Sequence, residues 1–227
     1  MSTSIVVTEA TILNPTKGPT LPFAPVQYDR QYADTLNNIL RQYFNTLDNY
    51  TAQLTLSTGG TGSGVYLPYG SFADTTDQTA LANTATVMTF NTTDFSSGVS
   101  IVTSGGLASR FTVANAGIYN FQWSGQFQNT DSAVHDASIW VRKNGVDVVG
   151  SSGLISVPSR HGSVDGHTIA GWNFLFSLAA NDYIELWWEA DDVAISIQAY
   201  SAVTTPPAAV RPSTSSLVAT MTFVSAI

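Results

Sequence analysis

The chain has 227 residues, a formal net charge of −8, only 11% charged residues and no cysteine. The missing cysteines exclude disulfides, thiolate metal sites and thiol nucleophiles, and the acidic balance argues against nucleic-acid binding, which requires a basic face. A composition rich in Thr, Ser, Asn and Gly, with 44% hydrophobic residues, favours strands and tight turns over a helical bundle. A chain with so few charges stays soluble either by covering itself with neutral polar groups or by burying much of its surface in an assembly, and its aromatic content of 11% favours the assembly.

Residues 1–25 contain four prolines, a density that forbids a helix and predicts an extended arm. Leu21, Phe23 and Val26 are too apolar for a free tail, so we expect the arm to dock on another surface. The first residues show no basic segment followed by an apolar run, and we therefore expect no signal peptide. No stretch approaches the length of about 18 apolar residues that spans a membrane, so we expect no membrane insertion.

Residues 26–56 carry the one strong helical pattern of the sequence. Its apolar positions step by 4, 3, 4, 4, 3 and 4 residues, and the average of about 3.67 predicts a nearly straight or slightly right-handed bundle. The stripe consists of Tyr32, Leu36, Ile39, Tyr43, Leu47, Tyr50 and Leu54. Such a helix either packs on its own domain or associates with sister chains. The Gly- and Ser-rich linker at 57–64 favours the second interpretation, a trimerising stalk, because a helix on a loose tether meets other chains readily.

The segment 65–227 is predicted to be almost entirely strand. The predicted strands are Val65–Tyr69, Thr84–Phe90, Val99–Thr103, Ala108–Val113, Ile118–Gln128, Ala137–Lys143, His167–Leu178, Tyr183–Glu189, Ile195–Tyr200 and Leu217–Ser225. Asn144-Gly145 is the strongest hairpin turn, and Asn181-Asp182 and Asn115-Ala116-Gly117 mark two further turns. Many short strands without intervening helices predict a mainly β, antiparallel sandwich, with a Pro-rich excursion before the last strand.

Large aromatic side chains are the main candidates for the core of this head and for contacts between subunits. They are Tyr119, Phe121, Trp123, Phe127, Trp140, Trp172, Phe174, Phe176, Trp187 and Phe223. Because side chains alternate across a strand, Tyr119, Phe121, Trp123 and Phe127 are expected to point to one face of a single long strand.

Several of these strands resemble the complement-type globular head. The stretch FTVANAGIYNFQW is similar to that family's Phe-Thr, Gly-Tyr-Phe and aromatic-strand signature, and SIWVRKNG is similar to its hairpin ending in Lys-Asn-Gly. LFSLAANDYIELWWE resembles its Leu-x-x-Gly-Asp-x-Val-x-Leu element, with Asn181 in place of the usual Gly, and LVATMTFVSA resembles its closing strand. The resemblance spans roughly residues 84–225. It implies a ten-stranded antiparallel jelly-roll sandwich of the tumour-necrosis-factor type, assembled as a homotrimer.

The segment from Leu21 to Leu54 resembles leader-plus-helix modules of tailed phages, especially those of aquatic bacteria, joined to this kind of head. This resemblance implies a virion structural protein, made in the host bacterial cytoplasm and displayed on the virion surface. Its implied partners are its sister chains and other virion proteins, namely major capsid, portal, neck or tail proteins. No cofactor is implied.

His161, Asp165 and His167 lie close together in the sequence, and imidazole and carboxylate suit zinc and related metals. On a threefold axis, one histidine from each chain would supply three ligands. Their spacing matches no established ligand pattern. A surface loop whose His and Asp side chains bond to backbone is therefore the preferred interpretation.

Glu185, Glu189 and Asp191-Asp192 offer the paired carboxylates that a glycosidase needs, with Trp187 and Trp188 as stacking platforms. The competing interpretation places one Trp in the core, the other at a subunit contact and the acids along a solvated edge. The sequence also contains no phosphate-binding loop and no nucleophile-elbow motif. We therefore predict that the chain is not an enzyme.

Two functions of different classes fit this organisation. A decoration or cement protein would stabilise the capsid, whereas a tail fibre or fibre-tip adhesin would bind a host-surface glycan or protein through its loops. A straight helix of about 30 residues spans only about 45 Å, so the chain is either the last piece of a composite fibre or sits directly on the shell. The apolar arm favours direct attachment. A bacterial or host trimeric ligand with a similar head is a third class, and it would lack the docking arm.

Overall fold

The computed structural model describes residues 18–55, 67–205 and 210–226, with helix side chains described as far as Asp48. The chain divides into two compact units, Met1–Tyr66 and Leu67–Ile227. Most of the predicted arm and the predicted linker at 57–64 lie outside the described residues, as do the side chains of Tyr50 and Leu54.

The first unit contains one helix, α1, over Arg30–Thr55. The helix begins at Arg30 rather than at residue 26, because Asp29 caps it. The Asp29 carboxylate accepts a hydrogen bond from the backbone N–H of Gln31 at 2.8 Å, which satisfies one of the free donors of the first turn. The described residues before it, 18–29, are not helical, and the Tyr32 hydroxyl donates to the Pro22 carbonyl at 3.4 Å.

The second unit has fourteen strands among its described residues. They are β1 (Tyr69–Asp74), β2 (Gln78–Thr79), β3 (Thr86–Val87), β4 (Thr92–Ser97), β5 (Val99–Ser104), β6 (Leu107–Val113), β7 (Gly117–Asn129), β8 (His135–Lys143), β9 (Val146–Asp147), β10 (Gly153–Val157), β11 (Gly166–Leu178), β12 (Tyr183–Ala190), β13 (Ile195–Ile197) and β14 (Leu217–Ser225). The prediction of a mainly β chain with one helix is confirmed.

The strands form two antiparallel sheets of seven strands each. Sheet 1 has the order β2-β13-β7-β14-β1-β4, and β11 pairs with the free side of β7 along its whole length. Sheet 2 has the order β10-β8-β12-β6-β5, with β3 beside β12 and β9 beside β8. The strand pairs are antiparallel throughout these ladders, which is typical of sheets with one face on a core and one outside.

The inner faces of the two sheets share one core. Strand β7 alternates as predicted, and Tyr119, Phe121, Trp123 and Phe127 are all buried on one face. The Phe127 ring meets Trp188 of sheet 2 with centroids 6.0 Å apart. Burying each such side chain contributes about 1.5–3 kcal/mol, so this layer holds the two sheets together.

Three predicted strands were wrong in place or length. Of the strand placed at Val65–Tyr69, the first two residues lie outside the described part of the chain, and strand β1 begins only at Tyr69, which pairs with Ser97, and runs on to Asp74. Of Thr84–Phe90 only β3 is strand, because the backbone N–H groups that follow bond to two different partners, at Leu186 and Ala108. Strand β13 ends at Ile197 rather than at residue 200, since Tyr200 pairs with Thr214 and no longer with β7.

Four strands were not predicted: the two-residue strands β2 and β9, and the longer strands β4 and β10. Strand β4 is the polar segment TTDFSS, whose residues show no apolar alternation, and β10 is only five residues long. The predicted Asn144-Gly145 turn is confirmed. Both residues have positive φ angles, 50° and 80°, as the tight hairpin between β8 and β9 requires. Asn181 also has a positive φ of 69°, a conformation that Asn tolerates better than most residues.

Candidate functional site

The outer face of sheet 1 carries no Asp, Glu, Lys or Arg over the described lengths of three adjacent strands, β11, β7 and β14. In register, the outward positions are Ile118, Asn120, Gln122, Ser124, Gln126 and Gln128 on β7, His167, Ile169, Gly171, Asn173, Leu175 and Ser177 on β11, and Val218, Thr220, Thr222 and Val224 on β14. Leu175 is 66% exposed and Ile169 is 68% exposed. This neutral face, with exposed aliphatic side chains, suits contact with another protein surface.

Asn120 lies at the middle of this neutral face, between Leu175 and Thr222 in register. Its side-chain oxygen is buried and has no hydrogen-bond partner among the described residues. Asn120 also lines a shallow cavity together with Asn173, Leu175 and Val224. An unsatisfied buried acceptor costs about 1–3 kcal/mol, so a donor supplied from outside would stabilise this position.

The outer face of sheet 2 is instead charged and aromatic. The Arg142 guanidinium lies 3.8 Å from the Trp187 ring centroid, and its Nε donates to Asp147. The Trp140 indole N–H also donates to Asp147 at 2.8 Å. The hydrogen bond from Arg142 is the main reason that the pKa of Asp147 lies below its usual value.

Two of the acids proposed for a glycosidase already have side-chain partners within the chain: Glu185 in sheet 2, and Asp191 at His135. Glu185 is buried and accepts hydrogen bonds from Arg110 at 3.0 Å and from Ser109 at 3.4 Å. Trp188 is fully buried in the core, whereas Trp187 is half-buried on the outer face. The Glu185 carboxylate therefore acts within sheet 2, and only one of the two indoles is available at the surface.

The candidate metal ligands have other partners within the chain. His167 Nδ1 lies 3.1 Å from the Tyr200 hydroxyl, and the Asp165 carboxylate accepts from the Gln128 amide. His161 exchanges backbone hydrogen bonds with Val164. Among the described residues, no three His, Asp or Glu side chains are arranged to hold a metal ion. A metal site formed on a threefold axis by one histidine from each of three chains stays a prediction.

The remaining predicted aromatics lie mainly at the edges of the core. Trp172, Phe174 and Phe223 are partly buried and pack against it. Trp140 is half-buried on the outer face of sheet 2. The predicted division of these residues between core and subunit interface stays a prediction where it concerns the interface.

The predicted docking and stalk residues of the first unit are apolar side chains that are either exposed or half-buried. In the arm, Phe23 is 99% exposed, and Leu21 and Val26 are exposed as well. Within the predicted stalk stripe, Leu47 is exposed, and the other described members are half-buried: Tyr32, Leu36, Ile39 and Tyr43.

Sequence reasoning missed one polar cluster, formed by Asp131, His135 and Asp191. Asp131 and His135 are four residues apart, but Asp191 is 56 residues away from His135, so only the folded chain brings them together.

Comparison with known proteins adds no relative: the sequence matches no protein-family model, and no curated protein is significantly similar to it. In the part of the chain that the structure describes, no helix is both long and apolar enough to cross a membrane.

Proposed function

We propose that the chain is a non-enzymatic, homotrimeric structural protein of a tailed-phage virion. In this proposal, residues 1–25 dock on the particle, the segment over residues 26–56, which contains α1, trimerises as a short stalk, and the head over residues 65–227 projects outward.

The observation that carries the trimer proposal is the neutral outer face of sheet 1. The chain has a net charge of −8, so copies of it repel one another wherever carboxylates face each other. The strands β7, β11 and β14 offer a surface on which copies can meet without that repulsion. The buried oxygen of Asn120 at its middle has no hydrogen-bond partner within the described ranges of the chain, and a neighbouring subunit would supply one.

The stripe on α1 supports a second contact between copies. Its half-buried and exposed apolar side chains recur along one face of a 26-residue helix, which is about 39 Å long. A helix of this kind is stabilised mainly by packing its apolar face against a partner. Sister helices would supply that partner in a stalk.

The order of the strands supports a jelly roll. Successive strands repeatedly change sheet: β7 lies in sheet 1, β8 and β10 in sheet 2, β11 in sheet 1, β12 in sheet 2, and β13 and β14 in sheet 1. Two antiparallel sheets connected in this crossing manner are typical of jelly rolls, which occur in viral capsid proteins. This arrangement agrees with the resemblance of the head to the tumour-necrosis-factor type.

The two locations on the virion differ in what the head would contact. The exposed apolar arm and the short helix favour direct attachment, as a decoration or cement protein. The alternative is a tail fibre or fibre-tip adhesin that binds a host-surface glycan or protein. Its binding surface would be formed by the loops that meet near Asp131, His135 and Asp191, because loops on a rigid scaffold commonly carry binding residues.

Antibody-gold labelling of purified virions, viewed by electron microscopy, separates these locations. Label spread over the capsid supports the decoration role, and label confined to the tail supports the adhesin. Particles without label would contradict the proposal. Deleting residues 1–25 should abolish incorporation into particles while leaving the trimer intact, and normal incorporation of the deleted protein would contradict a docking arm.

A further inference from the structure

Both ring nitrogens of His135 are in contact with carboxylates from two different loops. Nε2 lies 3.0 Å from an oxygen of Asp131 in the β7–β8 loop, and Nδ1 lies 3.1 Å from an oxygen of Asp191 in the β12–β13 loop. A carboxylate only accepts hydrogen bonds, and a neutral imidazole carries a single N–H. Both contacts can therefore be hydrogen bonds only when His135 is protonated.

The groups around His135 favour its protonated form. Its side chain is only 16% exposed, and Asp192 adds a third nearby carboxylate from the β12–β13 loop. The hydrogen bond to Asp131 is the largest of the causes that raise the pKa of His135 above its usual value, and the same bond lowers the pKa of Asp131. Asp136, the next residue on β8, instead accepts a hydrogen bond from Ser156 on β10.

A third loop joins the cluster through its backbone. The N–H of Arg160, in the β10–β11 loop, donates to the Asp131 carbonyl at 2.6 Å. Asp131 thus contacts His135 through its side chain and the third loop through its main chain. The three loops, residues 130–134, 158–165 and 191–194, therefore meet at the Asp131–His135 pair.

We propose that His135 is a pH-responsive clasp, which holds these three loops together while it is protonated and loosens them when it loses the proton. Deprotonation leaves one ring nitrogen with a lone pair facing a carboxylate, which turns one attractive contact into a repulsive one. The loops then rely on backbone bonds such as Thr130 to Ala194 at 3.1 Å, so the change is local and leaves the sheets intact. Contacts made by these loops would therefore depend on pH.

Histidine-specific ¹⁵N labelling of the full-length chain tests this proposal by NMR. We expect both nitrogens of His135 to carry protons at pH 6, and a titration midpoint above the ordinary histidine value of 6.5. The signal is assigned by its loss in His135→Gln. One protonated nitrogen at pH 6, or a midpoint at or below 6.5, would overturn the proposal.

Hydrogen exchange, corrected for the intrinsic pH dependence of the exchange rate, tests the loops themselves. Protection of residues 130–134 and 191–194 should fall several-fold as the pH rises through the midpoint, and this change should disappear in His135→Gln. Asp191→Asn should move the midpoint to lower pH, whereas Asp94→Asn, which removes an equal charge from β4, should leave it in place. Loop protection that does not change through the titration, or an equal midpoint shift in the two Asp variants, would overturn the clasp.

Discussion

The indole of Trp172 on β11 lies against the backbone of Gly153 on β10, so closely that a Cβ atom added at Gly153 would lie 2.2 Å from two ring atoms. β11 is an edge strand of sheet 1 and β10 is an edge strand of sheet 2. The indole also packs on Trp123 with centroids 5.5 Å apart. One ring therefore closes the sandwich where two sheet edges meet, and it requires a residue without a side chain opposite.

Replacing Gly153 by Val should destabilise the head, because its side chain would occupy the space of the Trp172 ring. Overpacking of this kind costs about 1–3 kcal/mol, which lowers Tm by several degrees in a calorimetric scan. The neighbouring Leu154, which is 68% exposed, provides the control: Leu154→Ala should change stability by less than about 0.5 kcal/mol. A Gly153→Val variant with the wild-type Tm would mean that the ring moves aside freely.

Trp188 should tolerate Phe far better than Ala. Its ring is fully buried, yet its indole N–H has no hydrogen-bond partner among the described residues. Trp188→Phe removes this unsatisfied donor while keeping most of the ring, whereas Trp188→Ala opens a large cavity and should cost about 3–5 kcal/mol. Urea unfolding at a single pH measures the free energy of unfolding of both variants. A loss for Trp188→Phe as large as that for Trp188→Ala would contradict this prediction.

Asp182 should make the stability of the head depend on pH. Its carboxylate accepts hydrogen bonds from Asn144 and the Ala179 N–H and lies 3.0 Å from Lys143, and these groups, with Asn144 first, hold its pKa below the usual value. The resulting stabilisation is present above the ordinary aspartate pKa of about 3.9 and is lost as the pH falls through the lowered, folded value. Asp182→Ala should therefore cost about 2 kcal/mol at pH 7.

Urea midpoints of the wild type and of Asp182→Ala, compared at pH 7 and at pH 2, measure this dependence. The difference in unfolding free energy between the two proteins should shrink toward the acid, because the wild-type carboxylate takes up its proton as the pH falls through its lowered pKa. A difference that stays constant with pH would contradict the assignment to the charged form.

A charge placed on the neutral face of sheet 1 should weaken the assembly. Leu175→Glu puts a carboxylate beside Asn120, where sister chains would bury it without a partner, a change that costs several kcal/mol. The matched control is Leu154→Glu on the outer face of sheet 2, since the exposed fractions of the two leucines are 66% and 68%. Sedimentation equilibrium should show a shift to smaller species for Leu175→Glu alone. Equal effects would place the contact elsewhere.

Serine substitutions along the helix stripe test the stalk separately. If the proposed trimer forms through α1, replacing Leu36, Ile39, Tyr43 and Leu47 together by Ser should lower its Tm, because the apolar contacts between sister helices would be lost. A variant with an equal number of Ser substitutions on the exposed polar face of α1 serves as the control. An unchanged Tm in the stripe variant would show that the head alone holds the chains together.

Patterns of residues close together in the sequence were sufficient to predict much of the structure of the head. The alternation along β7 predicted which side chains enter the core, and Asn144-Gly145 predicted a hairpin, because strand period and turn conformation depend on residues close together in the sequence. The same local reasoning failed for β4, since a polar edge strand such as TTDFSS receives its structure from pairing with β1 and not from its own composition.

The sequence by itself determined that this protein is a mainly β chain with one amphipathic helix, because periodicity and turn chemistry are local properties. Only the tertiary structure decided which polar groups meet. His135 faces Asp191 across 56 residues of sequence, and Asn120 is placed between Leu175 and Thr222 by pairing with two distant strands. Such contacts depend on how distant strands pair and how loops converge, and residue spacing carries no record of either.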